Sequence, residues 1–378
     1  MTRKLALLVA LAVSGCASHV VREPPAALVS FKSSYEVKEQ WSANVGAKSV
    51  KGALRLTPGA SDGFVYAADP RGRVSAFAED SGRKKWSVDL RTPVSGAVGV
   101  SPNLILVGTR NGEVIALDRE NGNRLWAAPV SSEVLAAPAA NRDVVVAQAV
   151  DGRVYALAAD TGKRLWVYER TEPALSLRGT GTPVVLSDGV LAGFASGKLV
   201  ALRLKDGGVL WEATVGQPHG RNEIERLVDV DASALVSPDA VYAASFQGKL
   251  TAINPGSGAI LWARDVSTYT ALAMDEANIY LTDDKSRVLA LDRKTGASVW
   301  MQEGLHGRRL SAPVVYRDSI VVADYEGYVH WLARDDGHFV ARYRVGRGPV
   351  RAPAAVDNET LFILATSGKL AALRLVSQ

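Results

Sequence analysis

Apolar residues along this chain fall into short alternating runs, and each run is one piece of a larger pattern that repeats. Residues 112–126, GEVIALDRENGNRLW, show the unit: a turn glycine, then a strand with Val114 and Ala116 on one face and Ile115 and Leu117 on the other, a second turn over 118–122, and a short strand ending on Trp126. The same order recurs at 72–86 (GRVSAFAEDSGRKKW), 152–166 (GRVYALAADTGKRLW), 197–211 (GKLVALRLKDGGVLW), 248–262 (GKLTAINPGSGAILW) and 286–300 (SRVLALDRKTGASVW), degenerates at 327–341 (GYVHWLARDDGHFVA) and is cut short at 368–378 (GKLAALRLVSQ). Two further strands are expected upstream of each unit: an apolar, β-branched run such as 103–109 or 143–149, and before it a small-residue strand such as 134–139 or 310–315. Four strands at a period of about 40 residues is the content of a propeller blade. Helical periodicity is scarce after residue 15, so the pattern predicts an all-β chain.

The tryptophans hold a fixed place in this pattern: Trp41, Trp86, Trp126, Trp166, Trp211, Trp262 and Trp300 end their units, and Ala341 stands there once. One large ring per repeat is what packing between neighbouring blades requires, so they are assigned to the core. Counting the central apolar position (Phe77, Leu117, Leu157, Leu202, Ile253, Leu291, Leu332, Leu373) predicts eight blades. The last unit ends before its tryptophan strand, and Trp41 has no unit before it. A strand over about 39–45 therefore completes the final blade and leaves no open edge in the ring.

The N-terminus carries a different signal. Arg3 and Lys4 precede an apolar run over 5–13, too short to span a bilayer, which ends in Val13-Ser14-Gly15-Cys16. This resembles a bacterial lipobox, which implies lipidation of Cys16; Ala17, where an Asp often retains a lipoprotein at the inner membrane, implies the outer membrane. Cys16 is the sole cysteine, so no disulfide forms within one chain. The expected organisation is a signal peptide over 1–15, a lipidated tether over 16–36 containing Pro24-Pro25, and the propeller over 37–378. A free tether of roughly 20 residues would reach about 65 Å.

Charge adds little. The formal +5 falls to +3 without Arg3 and Lys4, the basic residues are spread through the repeat turns, and no basic-aromatic stripe suggests nucleic acid. No zinc spacing links His19, His219, His306, His330 and His338, which are assigned to surface and turns. The Gly-containing segment 178–181 precedes a strand, so no helix N-terminus backs it for phosphate. Asp229 and Asp231, two apart, share a face if extended; a turn role, a metal or carboxylate pair, and a binding role all fit that spacing. Neither a catalytic set nor a cofactor or metal site is expected.

The repeat is interrupted in two places. Successive tryptophans lie 45, 40, 40, 45, 51 and 38 residues apart, and the excess is placed after Trp166 and Trp211. Both insertions join an outer strand to the next blade's inner strand, so they should build one patch on one face of the ring, where function concentrates. The first contains Leu175, Leu177 and Arg178; the second contains 219–231 with Asp229 and Asp231. Two leucines beside an arginine on a projecting loop suit protein binding; they could equally staple the loop to its blade.

The Ala-Leu-Asp, Thr-Gly and Leu-Trp elements resemble the blades of PQQ-dependent dehydrogenases, a likeness of packing and not of catalysis; no Trp-Asp dipeptide supports the WD40 variant of the same four-stranded blade. Taken with the lipobox, the proline-bearing tether, the Leu-Ser-Leu-Arg-Gly loop and the Glu-Ile-Glu-Arg-Leu-Val-Asp-Val-Asp loop, the whole chain resembles the BamB family, lipoproteins of outer-membrane β-barrel assembly. That resemblance implies a non-enzymatic scaffold that binds the POTRA domains of BamA through Leu175, Leu177, Arg178, Asp229 and Asp231. It also implies other subunits of the BAM complex as partners and leaves open direct contact with nascent outer-membrane proteins. The alternatives are a PQQ-type periplasmic oxidoreductase and a small-ligand binder using the central channel.

Overall fold

The computed structural model describes residues 24–48, 55–173, 175–177, 179 and 181–377. The expected signal peptide, Cys16 and Arg178 lie outside the described residues. The chain folds into eight four-stranded antiparallel sheets, each made of consecutive strands except one, which pairs Tyr35–Asn44 with Lys369–Ser377. This is the expected closure: pairing runs from Tyr35 opposite Ser377 to Asn44 opposite Lys369, with a one-residue register shift between Glu39 and Trp41, and the strand starts earlier than 39. Blades are numbered from the sheet that begins at Gly59, so the closing blade is the eighth.

Both faces of a blade are covered by its neighbours. Val114, Ile115, Ala116 and Leu117 are all fully buried, so alternation along the third strand separates two packed faces and not core from water. The innermost strands are shorter and later than expected: Ala139–Ala140 in place of 134–139, and Val314–Tyr316 in place of 310–315. The residues ahead of them turn over the channel mouth, where Val134 donates its N–H to the carbonyl of Thr109 at 3.2 Å.

The tryptophans join one blade to the next. Trp41 Nε1 donates to the Glu79 carbonyl at 2.6 Å, Trp86 to Arg119 at 3.0 Å and Trp126 to Ala159 at 2.9 Å, each reaching into the following blade. There the ring meets the turn glycine. Gly122 has φ 77°, and a Cβ on it would stand 2.6 Å from the Trp86 ring. Glycine is therefore required twice over, by backbone and by contact. Ala341 also finds its reason. In seven blades an alanine of the third strand pairs with the tryptophan, as Ala116 does with Trp126; in blade seven the two are exchanged, Trp331 facing Ala341. Volume is conserved, and the eighth blade, whose fourth strand comes from the N-terminus, has no following hairpin glycine for a tryptophan to cover.

Blade seven carries two further features. His330, expected at the surface, is fully buried: its Nε2 lies 3.0 Å from Asp324 Oδ2, and its Nδ1 accepts from Arg342 Nε at 3.1 Å. It occupies the strand position that Ile115 fills in blade two, and histidine is tolerated there because both ring nitrogens are paired. Residues 24–34 of the expected tether lie along the same blade. Arg308 and Arg342 donate to the carbonyls of Ala26 and Val29 at 3.0 and 2.9 Å, and Phe31 stacks on Phe339. This part of the 16–36 segment is docked, which shortens the reach expected of a free tether.

Candidate partner-binding face

The up-and-down order of each sheet puts every outer-to-inner connection on one face of the ring. Two of them are long, 169–183 and 215–234, against 90–98 and 130–138 in ordinary blades. A third, 45–58, is nearly as long as 169–183; it follows Trp41, whose spacing to Trp86 equals the spacing after Trp166, and sequence reasoning passed over it.

The two expected loops are joined along their length. Leu177 donates its N–H to Asp229 Oδ1 at 2.8 Å, and Thr182 N–H donates to Ser233 Oγ at 2.9 Å. Between these bonds Gly179 lies so close to Asp231 that a Cβ would stand 2.5 Å from Oδ2. Asp229 and Asp231 thus do share a face, the one turned towards the first loop. Asp229 itself is fully buried, and its backbone is fixed by Phe246 N–H donating to its carbonyl at 2.9 Å. Its carboxylate holds the loop from beneath and does not reach the surface. Asp231, half-buried, lines the central channel.

What the face presents to solvent is apolar. Leu175 is 41% exposed, Leu177 is half-buried, and Ile224 on the second loop is 66% exposed. Sequence reasoning named Ile224 only as part of its loop; an isolated isoleucine among Glu223, Glu225 and Arg226 was the available signal. The turn around it is tied by its own polar residues, with Glu225 accepting from Arg221 N–H at 2.7 Å and Asn222 accepting from Glu225 N–H at 2.9 Å.

Beneath the first loop lies a third acid that the sequence did not single out. Glu172 folds back onto Gly152, where a Cβ would stand 2.5 Å from its Cγ. Burial, offset by Arg170 and reinforced by Asp229, pushes Glu172 up to about 7. Burial pushes Asp229 to about 6, and burial with the nearby Asp229 charge pushes Asp231 to about 7, against the pull of Arg55. Among the described residues, Glu172 Oε2, Asp229 Oδ2 and Gln148 Oε1 are buried without hydrogen-bond partners. Among the described residues, the one cluster of three metal-capable side chains is Asp335, Asp336 and His338, at an exposed hairpin turn away from these loops.

With this geometry in view, the similarities to known proteins are specific. The sequence profile described as outer membrane protein assembly factor BamB matches residues 70–302. A relative of that name from Pseudomonas aeruginosa is 51% identical over 367 residues, covering 97% of each chain. The crystal structure of BamB from Moraxella catarrhalis superposes with a TM-score of 0.83 at 26% identity, covering 90% of this chain and all of that one. The quinohemoprotein alcohol dehydrogenase of Comamonas testosteroni reaches a TM-score of 0.72 at 13% identity over 89% of this chain and 76% of its own, a likeness of fold alone. Eight closed blades, the paired loops and a match along nearly the full length place the chain in the family of the outer membrane protein assembly factor BamB.

Proposed function

We propose that this protein is a non-enzymatic scaffold lipoprotein of outer-membrane protein assembly, anchored through Cys16 on the periplasmic face of the outer membrane, whose loop face binds the POTRA domains of BamA. One observation carries the reading: an apolar tip is exposed on a loop that is held rigid from below. Leu175 stands in solvent, while the backbone two residues on is fixed to the buried Asp229. Ordering a loop before it binds removes an entropic cost of association, so a pre-formed apolar projection is suited to a recess on a folded partner. Leu175 and Ile224 make the contact, Leu177 divides its surface between partner and blade, and Asp229 and Asp231 act by holding the loop. Arg178 remains a candidate for pairing with a BamA carboxylate.

The test is co-purification. Leu175→Ala with Leu177→Ala should cost roughly 2 kcal/mol or more of binding, about thirtyfold in affinity for BamA, with little change in melting temperature. A variant that loses several degrees and keeps its partner would make the leucines loop staples and sink the assignment.

A second contact is favoured by the rim. The outer strands of blades two to six expose Leu125, Leu165, Leu210, Leu261 and Met301, beside backbone edges that no further strand covers. Apolar edge strands suit transient pairing with an extended segment, the state of a nascent outer-membrane protein. Photocrosslinkers at Leu165 and Leu210 should capture such chains in cells; capture at Glu36 on the eighth blade to the same extent would count against it.

A further inference from the structure

The channel mouth on the loop face is built from the residues that lead into the eight inner strands. Four residues before the inner strand, blades one, five and eight carry Arg55, Asp231 and Arg351. The corresponding residues of four other blades are Ser95, Leu135, Tyr269 and Leu310. The repeat is its own control: blades close with a neutral residue at this position, so the fold has no need of a charge there.

The three charges are unevenly satisfied. Arg55 reaches across the mouth and donates to the Tyr269 carbonyl at 2.7 Å, with its guanidinium 5.4 Å from that ring's centre. Asp231 attracts it and Arg351 repels it. Arg351 itself makes no ion pair or hydrogen bond among the described residues. Both guanidiniums line one cavity of about 300 Å³, whose other walls include Val98, Ala136 and Pro353. That volume suits a ligand on the order of ten to fifteen non-hydrogen atoms.

We propose that the channel mouth binds a small organic carboxylate, its carboxylate held by Arg351 and Arg55 and its carbon skeleton lying against Val98, Ala136 and Pro353. Guanidinium groups match the planar two-oxygen acceptor of a carboxylate. The apolar walls select a carbon skeleton over an inorganic ion. Arg55 is exposed at the mouth and Asp231 offsets its charge beside Arg351 only in part, so a bound anion supplies further countercharge. The residues that would hold the ligand, Arg351 and Arg55, lie away from the exposed tips of the two loops, so the proposal shares only Asp231 with the partner-binding reading and stands or falls on the arginine variants.

The test is isothermal titration calorimetry of the full chain in detergent with adipate, a dicarboxylate with an apolar middle. Saturable one-to-one binding is expected. Arg351→Ala, a change at an exposed residue without partners, should weaken it about tenfold or more, and Arg55→Ala should do the same. Asp231→Asn, which frees Arg55 from its competitor, should tighten it about threefold. The proposal is overturned by absence of saturable heat with the wild type, by affinity unchanged in both arginine variants, or by inorganic phosphate binding as tightly as adipate at matched ionic strength.

Discussion

Two clusters of buried charge sit in this ring, and they are opposite in design. In blade seven, Asp324 is fully buried between His330 and Arg308, with Arg308 3% exposed and bridging also to Glu326. Burial raises its pKa, but the paired histidine and arginine outweigh that, and the net shift is downward. Under the 169–183 loop, Glu172, Asp229 and Asp231 share a space with Arg170 and Arg55 at its margins, and all three are pushed up. In the first cluster every acid is paired, and it also secures residues 24–34 through Arg308 and Arg342; one nitrogen, Arg342 Nη2, is buried without a partner. The second leaves buried oxygens unpaired. Buried acids that are paired fix a single structure, whereas buried acids left partly unpaired hold structure at a cost and are found where function demands it. The loop that presents Leu175 rests on the costly kind.

The sharpest break in this comparison comes from deleting the central acid of each cluster. Asp324→Ala leaves buried Arg308 with only the partly exposed Glu326 as counter-charge and His330 Nε2 without its acceptor, so the loss should approach the lower end of the roughly 3–5 kcal/mol that breaking a buried pair costs. The melting temperature should fall by many degrees, and residues 24–34 should become sensitive to protease. Asp229→Ala removes one hydrogen bond and an acid that is itself unfavourably buried, so the loss should be about 1 kcal/mol. Its effect should appear instead as faster hydrogen exchange at the Leu177 amide and weaker binding to BamA. Equal losses of stability in the two variants would erase the distinction drawn here.

Much of this was legible in the sequence, and what was not shares a cause. Blade number, closure and the shared face of the long connections follow from period and register, which backbone geometry fixes. The exchange of Trp331 and Ala341 is not visible in the tryptophan column alone, because it shows only when paired positions of two strands are read together. The 45–58 connection was hidden by a spacing that the extra length of another loop also produces. Asp229 and Asp231 were correctly placed on one face by their separation of two, yet that spacing carries no information about what covers the face. Burial of Asp229 and His330, and the return of Glu172 over Gly152, depend on contacts between distant segments.

The finest difference between the clusters should appear in pH dependence. Carboxyls raised in the folded state bind more protons folded than unfolded between about pH 4 and their folded pKa values near 6 to 7, so their contribution to stability is fullest on the acid side and is lost as pH rises through that window. Asp324 and His330, both lowered, act in the other direction: Asp324 stabilises above its unfolded pKa and loses that as pH falls, and His330, kept neutral by burial, disfavours the folded state once an unfolded imidazole would protonate. The two signs overlap near neutrality, so wild-type melting alone will not separate them. Glu172→Gln does, because it replaces the acid by a neutral isostere that needs no proton. Relative to this variant, the wild type should melt at nearly the same temperature at about pH 4, below the unfolded pKa of Glu172, and a degree or two lower at about pH 8, on the order of the few tenths to 1 kcal/mol expected for one partly exposed group. Parallel melting curves across that range would mean that Glu172 finds a counter-charge in solution, and that the loop rests on a satisfied network after all.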